Sequence, residues 1–156
     1  MKRGSTLVLR AVVWLMGLVV LGICLIALPP AIHTELQGDF DYAPLLLGLY
    51  FPAIPFFVAL KQTLKLIGYI DHNQAFTPQS VIALKLIKYC AYIISGLFAA
   101  GMPYIFYLAD RDDAPGLAAI GFIIIGASFV IGTAAAVFQQ LVQHAADLKM
   151  ENDLTV

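Results

Sequence analysis

Four long runs of apolar residues, separated by short polar segments, dominate the chain. They cover residues 11–28, 43–60, 89–108 and 116–138, and each is close to the ~20 residues that a helix needs to cross ~30 Å of hydrocarbon. Backbone groups find no water inside a bilayer, so continuous apolar segments of this length are helices and not barrel strands. The pattern predicts an all-α integral membrane protein, one domain with four transmembrane helices.

Prolines follow the first of these runs and lie inside the second and third. Pro29 and Pro30 follow the first run and predict that its helix stops at the membrane surface. This run lacks a clean small-residue cleavage site, so we interpret it as a retained span and not as a signal peptide. Pro52 and Pro55 lie inside the second run, where each removes a backbone donor and predicts a kink. Pro103 predicts the same near the outer end of the third run.

The segment between the second and third runs, residues 61–88, is predicted to extend both helices. Thr77 followed by Pro78 is typical of a helix start, with the threonine hydroxyl capping an exposed amide. Residues 68–76 then form the turn between the two extensions.

The tail, residues 139–156, is predicted to continue the fourth helix. We expect this extension to run to about Met150, with Leu141, Ala145 and Leu148 spaced to form one apolar stripe. Spans two, three and four would therefore all have helical extensions on the same side of the membrane.

Basic residues lie almost entirely on that side. The N-terminal flank, the segment 61–88 and the tail hold eight of the nine lysines and arginines, whereas the two remaining loops hold only Arg111. The positive-inside rule places the basic side in the cytoplasm. We therefore expect a multi-pass membrane protein with both termini in the cytoplasm. Six acids fall on the outer side: Glu35, Asp39, Asp41, Asp110, Asp112 and Asp113.

Composition agrees with a lipid environment, since 61% of the residues are hydrophobic and 12% are charged. A soluble domain carries roughly 25% charged residues. The two cysteines, Cys24 and Cys90, have neither CxxC nor metal-ligand spacing, so we expect buried free thiols.

The predicted spans contain no Asp, Glu, Lys, Arg or His. Ion-coupled transporters place ionisable groups inside the membrane, so this class is disfavoured. No nucleophile, metal cluster or acid–base pair lies where spans would enclose it, and we expect neither an enzyme nor a cofactor. The acidic segment 110–113 lacks the spacing of a calcium loop and is interpreted as a solvated turn.

Small residues recur every four positions in two spans. Gly96 and Ala100 form such a face in the third run, and Ser128, Gly132 and Ala136 form another in the fourth. Faces of this kind let helix backbones approach closely. They predict either packing of spans three and four within one molecule or a homodimer.

Two motifs suggest a family. Phe76-Thr77-Pro78 leads into a lysine-bearing helix, and residues 151–156 read Glu-Asn-Asp-Leu-Thr-Val. With the four-span layout, they resemble the DUF2975 family of bacterial membrane proteins. The resemblance implies a multi-pass protein of the bacterial cytoplasmic (inner) membrane. It also implies an unknown function, with no catalytic residues to carry over. It also implies frequent encoding beside a small helix-turn-helix regulator of the Cro/CI type.

These observations predict an accessory or regulatory membrane protein that binds a cytoplasmic partner, with the Cro/CI-type regulator as the suggested partner and no direct contact with nucleic acid. The alternative is a small permease or binder of a hydrophobic compound. A recognition surface is predicted from the turn and the tail, although the tail could instead be a structural cap. Its residues are Asp71, His72, Asn73, Glu151, Asn152 and Asp153.

Overall fold

Four long helices make up the protein in the computed structural model, which describes residues 3–38 and 40–155. They are α1 (Arg3–Gln37), α2 (Ala43–Asp71), α3 (Pro78–Arg111) and α4 (Pro115–Leu154), and each is long and apolar enough to cross a membrane. The predicted spans lie inside these helices, which confirms the all-α fold with four transmembrane helices. Three residues that belong to the predicted segments lie outside the described residues: Lys2 of the N-terminal basic flank, Asp39 of the outer acids and Val156 at the end of the tail.

Apolar side chains cover the outside of the molecule. Trp14, Leu25, Phe51 and Ile123 are among many that are largely exposed, whereas the buried core is small and rich in alanine. Exposed apolar surface of this extent is stable only against lipid tails. The bilayer is therefore the solvent of the four helices.

The prediction that α1 stops at Pro29 and Pro30 is wrong, because the helix continues to Gln37. It passes the prolines by widening into a π-helical turn at Ile23–Ala27, in which the Leu28 amide donates to the Ile23 carbonyl, five residues earlier. Proline removes donors that an α-helix needs, and a wider turn redistributes the remaining hydrogen bonds.

The wide turn leaves the Cys24 carbonyl without a backbone donor. Its α-helical partner, the Leu28 amide, bonds elsewhere, and its π-helical partner would be Pro29, which has no N–H. The hydroxyl of Tyr50 on α2 donates to this carbonyl at 3.0 Å. An unpaired carbonyl at this depth costs several kcal/mol, so Tyr50 both satisfies α1 and joins it to α2.

The α2 helix is interrupted once, at Leu49, between Ala43–Gly48 and Tyr50–Asp71. Pro52 cannot donate to the Gly48 carbonyl four residues earlier, so the break falls one turn before the proline. This agrees with the predicted kink. Both Pro55 in α2 and Pro103 in α3 lie inside continuous helix.

The α3 and α4 helices form the closest pair, packed antiparallel. A Cβ on Gly132 would lie 2.8 Å from the ring of Tyr92, and one on Gly121 would lie 2.8 Å from Met102 Sδ. Ser95 Oγ donates to the Ile125 carbonyl at 3.2 Å. Gly132 thus lets the ring of Tyr92 approach the α4 backbone, whereas the flexible Met102 side chain could move away from a Cβ at position 121.

Each helix packs mainly against the next one in sequence, so α1 lies on α2, α2 on α3 and α3 on α4. A crevice of about 500 Å³ remains where residues of all four helices face one another. Ile23, Phe56, Ile94 and Ile124 are among its apolar lining residues, with Thr63 and Ser128 adding hydroxyls.

The start of α3 differs in detail from the prediction. Pro78 is the first helical residue, as expected, but the hydroxyl of Thr77 makes no capping bond to a helix amide. It donates instead to the Gln74 carbonyl at 2.9 Å, as does that of the fully buried Ser80 at 3.1 Å. Both hydroxyls thereby order the preceding turn.

The tail extension is confirmed and is longer than expected, since α4 continues to Leu154. The predicted apolar stripe lies on one face but is largely unburied: Leu141 and Leu148 are each 60% exposed, whereas Val142 and Ala145 are half-buried and Ala146 is buried. The helix period alone does not tell which face a neighbouring helix covers, and α3 covers the face of Val142 and Ala146.

Candidate functional site

The inner turn, residues 72–77 between α2 and α3, is held by α1. Arg10 Nη2 lies 2.8 Å from Asp71 Oδ2 at the end of α2, and the side chains are 40% and 26% exposed. A Cβ on Gly68 would lie 3.8 Å from Arg10 Nη2, so the arginine crosses α2 at a residue without a side chain. Asp71, predicted in the recognition surface, is therefore engaged within the molecule.

His72 and Asn73 also have roles in local structure. His72 Nδ1 lies 2.8 Å from the Gly68 carbonyl, and the His72 amide donates to the same carbonyl, so this residue completes the end of α2. Asn73 has φ 56°, in the left-handed region that asparagine tolerates better than most side chains. These structural roles account for His72 and Asn73 in the turn, and no binding partner is needed to explain them.

The end of α4 has a different surrounding. Because Tyr92 packs beside Gly132, the antiparallel register brings the buried Ala146 beside the start of α3. Residues 147–155 therefore extend past α3. From here on, the tail means these residues alone and not the whole predicted segment 139–156. Glu151, Asn152 and Asp153 are exposed and helical, and within 3–38 and 40–155 no hydrogen bond or ion pair joins the tail to the inner turn.

The tail and the inner turn thus lie at the same end of the molecule without being linked. Their use as one recognition surface stays a prediction. At the end of the tail, the Thr155 hydroxyl donates to the Glu151 carbonyl and the Thr155 amide to that of Asn152, so these two predicted residues are engaged there through their backbone.

At the outer end, polar side chains link the two outer loops. Arg111 at the end of α3 pairs with Asp41, and the Tyr42 hydroxyl donates to Asp112. The Tyr104 hydroxyl donates to the Asp41 carbonyl, and the Tyr42 amide donates to Glu35 Oε2 at 3.3 Å. We call these residues (Glu35, Asp41, Tyr42, Tyr104, Arg111 and Asp112) the outer cluster.

Hydrogen bonding to Asp112, followed by reduced hydration, raises the pKa of the Tyr42 phenol above its ordinary value of 10.0. The phenol therefore stays protonated and donating at neutral pH. The expectation of a merely solvated turn at 110–113 missed this cluster. The one usable signal in the sequence was Arg111, a single cation among acids on the outer side.

Among residues 3–38 and 40–155, chemically reactive side chains do not assemble into a metal site. In the part of the chain that the structure describes, no three His, Cys, Asp or Glu residues are grouped as metal ligands. Cys24 and Cys90 are free and buried, which confirms the interpretation of their sequence context.

The predicted small-residue faces have different surroundings. Gly132 packs against Tyr92 on α3, and Ser128 and Ala136 on the same helix are half-buried. Gly96 and Ala100 are exposed, and a Cβ on Gly96 would meet nothing within 4 Å. The α3 face is therefore not used for packing within the molecule.

Comparison with known proteins gives two matches. The profile of the family described as "Protein of unknown function (DUF2975)" matches residues 33–156. A Bacillus subtilis (strain 168) protein named "Uncharacterized membrane protein YoaS" is 48% identical over 160 aligned residues, which cover all of both chains. No solved structure matches the chain.

Proposed function

Since the chain belongs to the DUF2975 family, whose function is unknown, we propose a role from its own geometry: an accessory or regulatory protein of the bacterial cytoplasmic membrane that binds a cytoplasmic protein. The observation that supports this role is the tail, a helical segment that extends past α3 with its side chains exposed. Nothing in the described spans suggests catalysis, whereas an exposed helix is a common element of protein recognition.

The charge of the tail suggests the chemistry of the partner. Residues 147–155 carry three acids, Asp147, Glu151 and Asp153, and one base, Lys149. A small helix-turn-helix regulator has a basic surface for DNA phosphates, and an acidic helix is attracted to such a surface. Binding at the membrane would then compete with binding to DNA, which connects the proposed contact to regulation.

The test uses the full chain in lipid nanodiscs and purified small helix-turn-helix regulators encoded beside genes of this family. The double variant Glu151→Lys/Asp153→Lys should abolish binding, with the largest effect at low salt because exposed charges are screened within ~10 Å at 0.1 M. The matched control, Asp110→Lys/Asp113→Lys, makes the same charge change at the outer end and should bind normally.

A chain ending at Met150 should also lose binding while keeping its thermal unfolding midpoint, because residues 151–155 are exposed and extend past the start of α3. Unchanged binding by the charge-reversed variant would reject the proposal. So would a truncated chain that unfolds, since the tail would then be a structural cap.

A second candidate function is binding of a hydrophobic compound, which the crevice of about 500 Å³ favours. Its volume lies in the range of small-molecule pockets, and its lining is apolar with few hydroxyls. Native mass spectrometry of protein extracted in mild detergent distinguishes the two functions. If the chain carries one small apolar molecule per copy and no protein partner, binding of a hydrophobic compound becomes the favoured function.

A further inference from the structure

A regular series of residues, exposed except for the half-buried Ala145, follows α4 from the membrane into the tail. The members are separated alternately by four and three residues, which is the heptad spacing of a coiled-coil seam. We call this series the α4 seam; it consists of Ala134, Phe138, Leu141, Ala145, Leu148 and Asn152. Farther toward the membrane interior, Ile131 lines the crevice between the four helices, so the seam begins at Ala134.

Lipid can cover only the first part of the seam. Tyr92 packs beside Gly132, so Lys88 and Lys85, four and seven residues earlier on α3, lie level with Ala136 and Gln139. Lys88 also lies over the ring of Tyr89, a pairing typical of a membrane interface. The hydrocarbon boundary therefore falls near Phe138, the second seam residue.

The inner half of the seam projects into water. The α4 helix is unbroken from Pro115 to Leu154, so it cannot turn to lie along the membrane. Leu148 is ten residues beyond Phe138, which corresponds to a rise of about 15 Å. Leu141 and Leu148 nevertheless remain 60% exposed. Such residues in water indicate that another protein surface covers them.

The molecule itself does not supply that surface. The neighbouring helix α3 covers the face of Val142 and Ala146 and begins only at Pro78. Leu141 and Leu148 lie on a different face of α4. The seam therefore requires a second chain.

We propose that the α4 seam is the interface between two copies of this chain, joined as a parallel two-helix coiled coil. Copies inserted with one orientation in one membrane have parallel α4 helices. With Phe138 and Ala145 at the a positions, Asn152 is the next a residue, and a single asparagine there fixes register and favours two strands. No seam position carries a charge.

The interface is compatible with the proposed function but does not depend on it. Asp153 lies outside the seam, and Glu151 borders it without belonging to it. Reversal of those two charges tests regulator binding, whereas seam substitutions test self-association. Either proposal can fail while the other holds.

The test is cysteine crosslinking in native membranes, in a Cys24→Ala/Cys90→Ala background. Single cysteines at Leu141, Ala145 and Leu148 should give a crosslinked species of twice the chain mass. Cysteines at Gln143 and Met150, exposed on another face at similar depth, should remain monomeric. Equal crosslinking on both faces, crosslinking to a different protein, or no crosslinking at the seam would each overturn the proposal.

A second measurement covers the case in which a cysteine disturbs the helix. The mass of the detergent-solubilised chain should fall from dimer to monomer in Leu141→Glu/Leu148→Glu and stay dimeric in Gln143→Glu/Met150→Glu. Asn152→Leu should retain association but admit larger assemblies, since the residue that limits the number of strands is gone. A monomeric intact chain in nanodiscs that hold two copies would refute the dimer.

Discussion

The outer and inner ends of the helices use their polar side chains in different ways. At the outer end, the cluster around Asp41 and Arg111 links two loops that are far apart in sequence, and its members bond to one another. At the inner end, Arg10 and Asp71 make one comparable link, while the tail extends into solvent. Polar groups that satisfy one another serve the fold, whereas those left to water remain free to bind another molecule.

The largest expected effect concerns which end faces the cytoplasm. In a Cys24→Ala/Cys90→Ala background, single cysteines at Gly38 and Ala114 should be labelled by an impermeant thiol reagent in intact cells. A cysteine at Gln74 should be labelled only after the membrane is permeabilised, because the basic end is retained inside. Labelling of Gln74 in sealed cells would reverse the assignment and remove the tail from contact with cytoplasmic proteins.

The next effect tests the outer end as a structural link. Tyr104→Phe removes the hydroxyl that donates to the Asp41 carbonyl and keeps the ring. Loss of one such hydrogen bond should lower the free energy of unfolding by about 0.5–1.5 kcal/mol. The measurement is unfolding in nanodiscs. The control is Tyr107→Phe, at an exposed tyrosine on the same helix, which should leave the free energy of unfolding nearly unchanged. Equal stability of both variants would mean that the cluster does not hold the loops together.

A smaller effect is expected for the ion pair at the inner end. Asp71→Asn removes the charge facing Arg10 with little change of shape, and partly exposed pairs contribute about 0.2–1 kcal/mol. Since this carboxylate is already engaged, binding of a regulator should be unchanged by the substitution. A loss of binding as large as that of the tail variant would return Asp71 to the recognition surface.

The smallest effect is a shift in a titration. Tyr42 has a raised pKa because it donates to Asp112, and a raised pKa means that its protonated form is favoured in the folded state. The stabilisation of the folded state by protonated Tyr42 is complete below the pKa of the unfolded state, about 10. It is lost as the pH rises through the pKa of Tyr42 in the folded state. The difference in phenolate absorbance between the intact protein and Tyr42→Phe reports the ionisation of Tyr42 alone. This difference should appear above pH 10. Its appearance below pH 10 would contradict the hydrogen bond.

The apolar runs were sufficient to predict the four helices, because lipid permits little else for such segments. They were not sufficient to predict how prolines are accommodated. Pro29 and Pro30 indicate a helix end if only local hydrogen bonding is considered, but the hydroxyl of Tyr50, 26 residues from Cys24, supplies the missing donor. A contact over that separation leaves no periodic signal in the sequence.

The candidate site was predictable only in part for the same reason. Exposure of the tail follows from its polar ending and is visible in the sequence. The ion pair of Asp71 depends on a residue 61 positions earlier, Arg10, and the bond of Tyr42 joins it to a residue 70 positions later. Likewise, Leu141, Ala145 and Leu148 were correctly grouped on one face, but only the position of α3 shows that they face away from it.

The π-helical turn in α1 has a consequence for the angular phase of that helix. One residue of an α-helix corresponds to about 100° of rotation, so the wide turn sets the angle between the segments before and after Ile23–Ala27. Winding the same five residues as α-helix, with none removed, would rotate the inner half by roughly 90°. Arg10 would point away from Asp71, and the buried Val13 would turn toward lipid. The wide turn thus keeps both halves of α1 facing α2 at the same time.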